Sequence, residues 1–259
     1  MSVIWQTLLV NPIFNILVTL YKVSGSLGIS IILLTLLIRS ALIPVVLPSL
    51  KTMKKQKELQ PELDKIKKKY KHDKKKQAEM QMELFNKHGI NPASGCLTQI
   101  VMLVVLIALY GVIRKFSNGM ELTEINSTIY FEALKFVSLD DIKTGFLYMD
   151  LAKPDPLYIF VILSGILQLI SSKMMLPYSE IGEKAAKKTP DKTDDMAYNM
   201  QSQMLYTMPI MNVLIGVKLP AGVVLYLVTT TVFSIAQNYF INGLGGLKPW
   251  INKIKKWIK

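Results

Sequence analysis

The chain has 259 residues, of which 51% are hydrophobic, yet it carries a net charge of +13 and a mean hydropathy of +0.32. That combination fits a membrane protein with basic loops better than a soluble enzyme, and the apolar runs are too long for a typical nucleic-acid-binding domain despite the basic charge. A single cysteine, Cys96, excludes an intrachain disulfide framework and any multi-cysteine metal site. The two histidines, His72 and His88, lie in or beside a lysine-rich segment and read as solvated.

The opening MSVIWQTLLV has neither the basic n-region nor the cleavage site of a signal peptide, so the N-terminus is expected to be mature. In NPIFNILVTLYKVSG, Ile13, Leu17 and Leu20 recur at helical spacing and Gly25 can end a helix. This reads as an amphipathic helix on the membrane surface, with a partial sixth span as the alternative.

Five segments have the apolar character of spans: 27–47, 97–113, 157–176, 203–217 and 219–241. The first contains Arg39. Residues 27–38 alone would give about 18 Å of helix against a hydrocarbon core of about 30 Å, so the span must continue past the arginine. The alternative is an interfacial arginine that snorkels to water. A charge inside a span costs about 2.5–3.5 kcal/mol on insertion scales and persists where it faces protein or a wet cavity.

Residues 51–89 hold 13 lysines and 6 acidic residues and are assigned to the cytoplasm. Leu59, Leu63, Ile66 and Tyr70 share one helical face, and Ala78, Met82 and Phe85 offer a second stripe beyond KHDKKK. Two antiparallel helices, closed by Gly89, are expected; the alternative is a solvated charged linker. The loop 114–156, with 5 basic and 7 acidic residues, is assigned outside. The loop 173–203 is balanced at 5 and 5, and the tail after Ile241 has 5 lysines and no acid. The pattern fits an external N-terminus and a cytoplasmic C-terminus.

Several polar side chains fall on helical faces within the spans. Thr35 lies one turn before Arg39, Gln99 precedes Leu103, Leu106 and Tyr110 on a mixed stripe, and Tyr226, Thr230 and Ser234 share a face with Gln237 or Asn238. Threonine back-bonding and an interfacial Gln99 would explain single members. Taken with Arg39, the set suggests a polar cavity open to the cytoplasmic side. No acidic residue lies in any of the five spans to pair with Arg39.

Five ordered motifs resemble the YidC/Oxa/Alb family of membrane protein insertases. They are LLTLLIRSALIP around Thr35 and Arg39, LQPELDKIKKKYKHD, NPASGCLTQIVMLVVLIALYGVI, FLYMDLAKPDPLY, and MLYTMPIMNVLIGVKLPAGVVLYLVTTTVFSIAQNYFI. Thr98 and the run from Met102 to Leu106 depart from the family's pattern. The resemblance implies an all-α polytopic fold. Its parts are an external N-terminal segment (1–26), a first span (27–50), a cytoplasmic hairpin (51–90), four further spans (91–241) and a basic tail (242–259).

It further implies an insertase with no covalent chemistry, no cofactor and no metal. The groove would comprise Arg39, Thr35, Gln99, Tyr226, Thr230, Ser234 and Gln168, with Leu103, Leu106 and Tyr110 as an apolar slide. Implied partners are nascent membrane proteins and the bilayer, with the Sec translocon and the ribosome as further ones, and the implied working form is a monomer in a prokaryotic plasma membrane. In KPWINKIKKWIK, Trp250, Ile254, Trp257 and Ile258 lie near one face, suiting anionic lipid or ribosomal RNA. The competing class is a channel or transporter for a polar or anionic solute, with Arg39 as its ligand. No inverted repeat supports that class. No GxxxxGK[ST] motif is present, and the spans hold no Asp, Glu or His for catalysis.

Overall fold

The computed structural model describes residues 3–70, 73–90, 94–116, 121–175 and 196–247. The basic tail from 248 onwards, most of the loop 173–203, and His72 lie outside the described residues. The chain forms two compact units, each assembled from three separated segments.

The first unit comprises residues Met1–Ile43, Ile100–Leu167 and Ile210–Phe233. Its first long helix, α1 (Asn11–Ser24), follows a helical turn at Val3–Trp5 and a π turn at Gln6–Val10. Pro12 suits the first turn, where no intrahelical N–H partner is needed. Phe14, Leu17, Val18 and Tyr21, at i, i+3, i+4 and i+7, are buried, and Gly25 ends the helix at φ 69° with its N–H on the Tyr21 carbonyl. The apolar run from Val3 to Ser24 is itself long and apolar enough to cross a membrane. Polar bonds tie α1 to the 121–143 segment. Asn15 donates to the Thr128 carbonyl and accepts from the Tyr130 N–H, while the Tyr21 hydroxyl donates to the Asp141 carbonyl and accepts from the Lys143 N–H.

Helix α2 (Leu27–Ala41) buries Leu27, Ile31, Leu34, Thr35 and Arg39 on one side and exposes Ile29, Leu33, Leu36 and Leu37 on the other. The first predicted span is therefore not one continuous helix, because α2 stops at Leu42 and α3 (Ile43–Glu58) starts anew. Pro44 explains the break: it has no N–H to give the Ser40 carbonyl, and its ring crowds that carbonyl. Three of the other predicted spans are helices within three residues of the expected bounds: α6 (Ser94–Arg114), α8 (Ile159–Met175) and α10 (Ala221–Asn242). The fourth, α9 (Met196–Gly216), ends as expected but is already helical seven residues before position 203. By length and composition, Val3–Ser24 and Ala221–Ile241 each suffice to cross a membrane, and α2 with α3 would make a third if taken as one broken span.

Between α6 and α8 the chain makes α7 (Leu122–Thr128), two 3-10 turns and a hairpin of β1 (Gly145–Phe146) with β2 (Met149–Asp150). This segment seats on helix starts. Phe146 lies against Gly28 of α2, where any Cβ would collide with its ring. The Lys153 and Leu151 carbonyls accept from the Ala221 and Gly222 N–H groups, supplying the first turn of α10 with partners it lacks within the helix. Phe14, Leu17, Ile31, Leu109, Ile113, Leu151 and Val223 sit at the centre of the core.

The second unit comprises residues Pro44–Gln99, Gln168–Pro209 and Ser234–Lys259. Helices α4 (Gln60–Lys69) and α5 (Lys74–Lys87) form the expected hairpin around Leu59, Leu63, Leu84 and Ile90, with Ile66 and Phe85 against them. Asp73 caps α5 by accepting from the Lys76 N–H at 2.9 Å. Gly89, at φ 62°, closes α5, and the Ile90 N–H reaches back to the Phe85 carbonyl. The second apolar stripe differs from the expectation: Gln77 and Leu84 are buried, whereas Ala78 and Met82 are exposed. In the same unit Lys57 Nζ donates to the Met174 carbonyl near the end of α8, at 2.6 Å.

Candidate functional site

Arg39 occupies the last turn of α2, and its side of the helix is the buried one. The residue is 5% exposed. Its Nη2 donates to the Thr230 carbonyl at 2.8 Å, its Nη1 meets the Met102 sulfur at 3.2 Å, and its guanidinium lies 5.4 Å from the Phe233 ring centroid. A helix carbonyl has a second lone pair for such a donor, a thioether is a weak acceptor, and a ring face attracts a cation. All three are neutral ligands. A planar guanidinium fork is better matched by a carboxylate, which accepts two charge-assisted bonds at once.

Among the predicted groove residues, the structure brings Thr35, Tyr226 and Thr230 into the same unit as Arg39. Thr35 is buried, but its hydroxyl is committed to the Ile31 carbonyl at 2.6 Å, so it bonds its own helix. Tyr226 is buried one turn before Thr230 on α10 and lies within Coulombic range of Arg39. Thr230 contributes its main-chain carbonyl. Ser234 and Gln168 are half-buried and belong to the second unit. Gln99 lies in α6, with its side chain outside the described residues.

The expected apolar slide divides. Leu103 is 52% exposed, whereas Leu106 and Tyr110 are partly buried against the core. The exposed stripe of α6 is Ile100, Leu103 and Ile107, at i, i+3 and i+7. Two ligands of Arg39 were missed by sequence reasoning, Met102 and Phe233. Phe233 had a signal, since it stands three residues after Thr230 and near its face. Met102 sits beside Leu103 in sequence and carries no local mark of its role. Among the described residues, no cluster of three or more His, Cys, Asp or Glu could hold a metal ion.

This arrangement can be set beside known proteins. The family model described as 60Kd inner membrane protein matches residues 19–245. The membrane protein insertase YidC of Fusobacterium nucleatum is 35% identical over 220 residues, covering 85% of this chain and 88% of that protein. The membrane protein insertase MisCA of Bacillus subtilis is 31% identical, over 92% of this chain and 79% of its own. The YidC of Polynucleobacter asymbioticus is 32% identical across 95% of this chain but only 37% of its own. A crystal structure described as active YidC insertase with the first transmembrane domain resolved is similar in fold, with a TM-score of 0.59 at 23% identity. It covers 91% of this chain, which spans 46% of that longer one. The chain belongs to the 60Kd inner membrane protein family, that of the YidC/Oxa insertases.

Proposed function

We propose that this chain inserts other proteins into a bacterial inner membrane, using Arg39 as the charge that receives a polar or acidic substrate tail inside a hydrated groove. The observation that carries the mechanism is a buried arginine whose ligands include a carbonyl, a thioether and a ring face. An incoming carboxylate binds the fork more strongly than the thioether does, and the low dielectric around it strengthens the attraction over that in bulk water. Tyr226 and Thr230 supply further polar groups to the groove. Ile100, Leu103 and Ile107 offer the apolar rail along which a substrate helix leaves for lipid.

The driving force is burial of the substrate's own apolar helix, aided by the membrane potential on a negative tail, without covalent chemistry by the insertase. The apolar part of α8 ahead of Lys173, residues 159–172, gives about 21 Å of helix, short of a hydrocarbon core of about 30 Å. Such shortness favours a locally thinned bilayer and a shorter distance for the tail to cross.

Five spans with an external N-terminus agree with the loop charges, and the polar bonds between α1 and the charged 121–143 segment support a surface helix for residues 11–24. The α4–α5 hairpin and the basic tail recruit substrate, the ribosome or the Sec translocon from the cytoplasm.

The test is depletion of the protein followed by insertion of a single-span substrate with a short acidic tail. Wild-type protein restores insertion, Arg39→Ala lowers it by about tenfold or more, the equivalent of about 1.4 kcal/mol in a rate-limiting barrier, and Arg39→Lys retains most of it. Normal insertion after depletion, together with loss of a solute flux, would establish the transporter reading instead.

A further inference from the structure

Six described residues adopt φ between 48° and 69°, and four of them are glycines. The other two are Leu147, at φ 54°, and Tyr158, at φ 56°. A leucine or tyrosine there pays a steric penalty of about 1–2 kcal/mol that glycine avoids. Both side chains also face outward: Leu147 is 75% exposed and Tyr158 46%. Neither conformation is maintained for burial of its own side chain.

The turn carrying Leu147 is firmly held. Leu147 and Tyr148 link β1 to β2, and Met149 directly after them is buried. The Tyr148 hydroxyl donates to both carboxylate oxygens of Asp155, at 3.1 and 3.2 Å. Asp155 is 1% exposed and also accepts from the Leu157 and Phe160 N–H groups, so it fixes the entry into α8. One buried carboxylate thereby locks the hairpin tip to the segment that carries Tyr158. The hairpin base rests on the starts of α2 and α10 through Phe146, Leu151 and Lys153.

We infer that Leu147, Leu157 and Tyr158 form a rigid interfacial anchor that inserts into the headgroup–acyl boundary of the leaflet at the start of α8. The inference rests on the membrane reading above. Continuity favours lipid over a protein partner: Ile159, Ile162 and Ile166, at i, i+3 and i+7, are 51–54% exposed and carry the same apolar surface down α8. Leu157, 60% exposed, joins the tip to that stripe. Tyrosine suits the interface, with an apolar ring and a polar end. The anchor also supplies apolar length to a helix whose apolar run ahead of Lys173 is shorter than an average bilayer, fixing the depth at which α8 sits.

The experiment places a benzophenone amino acid at position 147, 158, 166 or 132 of the full-length protein in phosphatidylethanolamine–phosphatidylglycerol vesicles. Photo-adducts are then identified by mass spectrometry. Position 166 reports the lipid-facing side of α8. Position 132 is an aqueous control, since the Glu132 side chain is 87% exposed beside Lys135. Lipid adducts at 147 and 158 are expected at levels similar to 166 and at least fivefold above 132. Adducts at 147 and 158 no higher than at 132, with 166 still reacting with lipid, overturn the anchor and leave the membrane reading intact. Dimer adducts at 147 overturn it in favour of a second copy of the chain. Absence of lipid adducts at 166 as well overturns the membrane placement of α8 and the anchor with it.

Discussion

The core of the first unit and the α4–α5 hairpin of the second are both made of helices with apolar stripes, yet they differ in depth. Phe14, Leu17, Ile31 and Ile113 reach 0% exposure, whereas the four core residues of the hairpin range from 3% to 9%. In the first unit a stripe on α1 meets α2, α6 and the 121–142 segment, so each side chain is covered from several directions. In the hairpin the stripes of α4 and α5 pack on each other, and nine lysines lie between residues 59 and 90. A two-helix hairpin with so small a core opens at lower cost than a many-sided one.

The largest effect that tests this contrast is expected from Phe14→Ala. Its ring is fully buried, lies 5.6 Å from that of Phe116 and has the Lys115 amine over one face at 5.1 Å. Truncation should cost about 3–5 kcal/mol and lower the thermal transition of the purified protein as a whole. Leu63→Ala in the hairpin should cost about 2 kcal/mol, the low end for leucine, because its site is already near the surface. Its signature in hydrogen exchange is faster exchange confined to residues 59–90, with α1 and α2 unchanged. Equal loss of protection in both units would show that the hairpin is not an independently opening element.

Asp73→Ala should have a smaller effect of the same local kind, about 1 kcal/mol, since it removes the cap that starts α5. Faster exchange should be concentrated in the first turn of α5. Restoration by Asp73→Asn would identify the hydrogen bond, and not the charge, as the source.

Much of this organisation was legible because long apolar runs and ordered motifs are local signals. Four of the five runs became helices, three of them near both expected ends, and the insertase family was readable from five motifs in sequence order. The first run misled because hydropathy does not register the missing N–H of Pro44, which divides α2 from α3. The second hairpin stripe misled for a different reason. On a helix with few apolar residues, the partner determines which face is covered, and an amide such as Gln77 can be buried while Met82 stays outside. Arg39 was visible as an anomaly of cost, but its ligands were not. Met102 lies 63 residues away and Thr230 lies 191 away, and only folding brings a thioether and a helix carbonyl to the same guanidinium.

The smallest predicted effect concerns pH and the edge of the deeper core. Lys115, just beyond α6, donates to the Thr128 hydroxyl at 2.6 Å and lies over the Phe14 ring. Burial lowers its pKa, and the Glu124 charge only partly opposes that. When the 121–142 segment detaches, the amine regains an ordinary lysine pKa of about 10.4. Between the lowered value and the ordinary one, the detached state binds the proton more tightly, so docking strengthens as pH rises through that window. Below both values the amine is charged in either state and docking does not vary with pH through this group. Titration of methylated lysines by carbon-13 NMR should give Lys115 a midpoint below those of the surface lysines, and Lys115→Met should abolish the rise in docking. An ordinary midpoint would mean that water reaches the amine in solution, and that the dry part of the core ends at Phe14 instead of extending to the Thr128 bond.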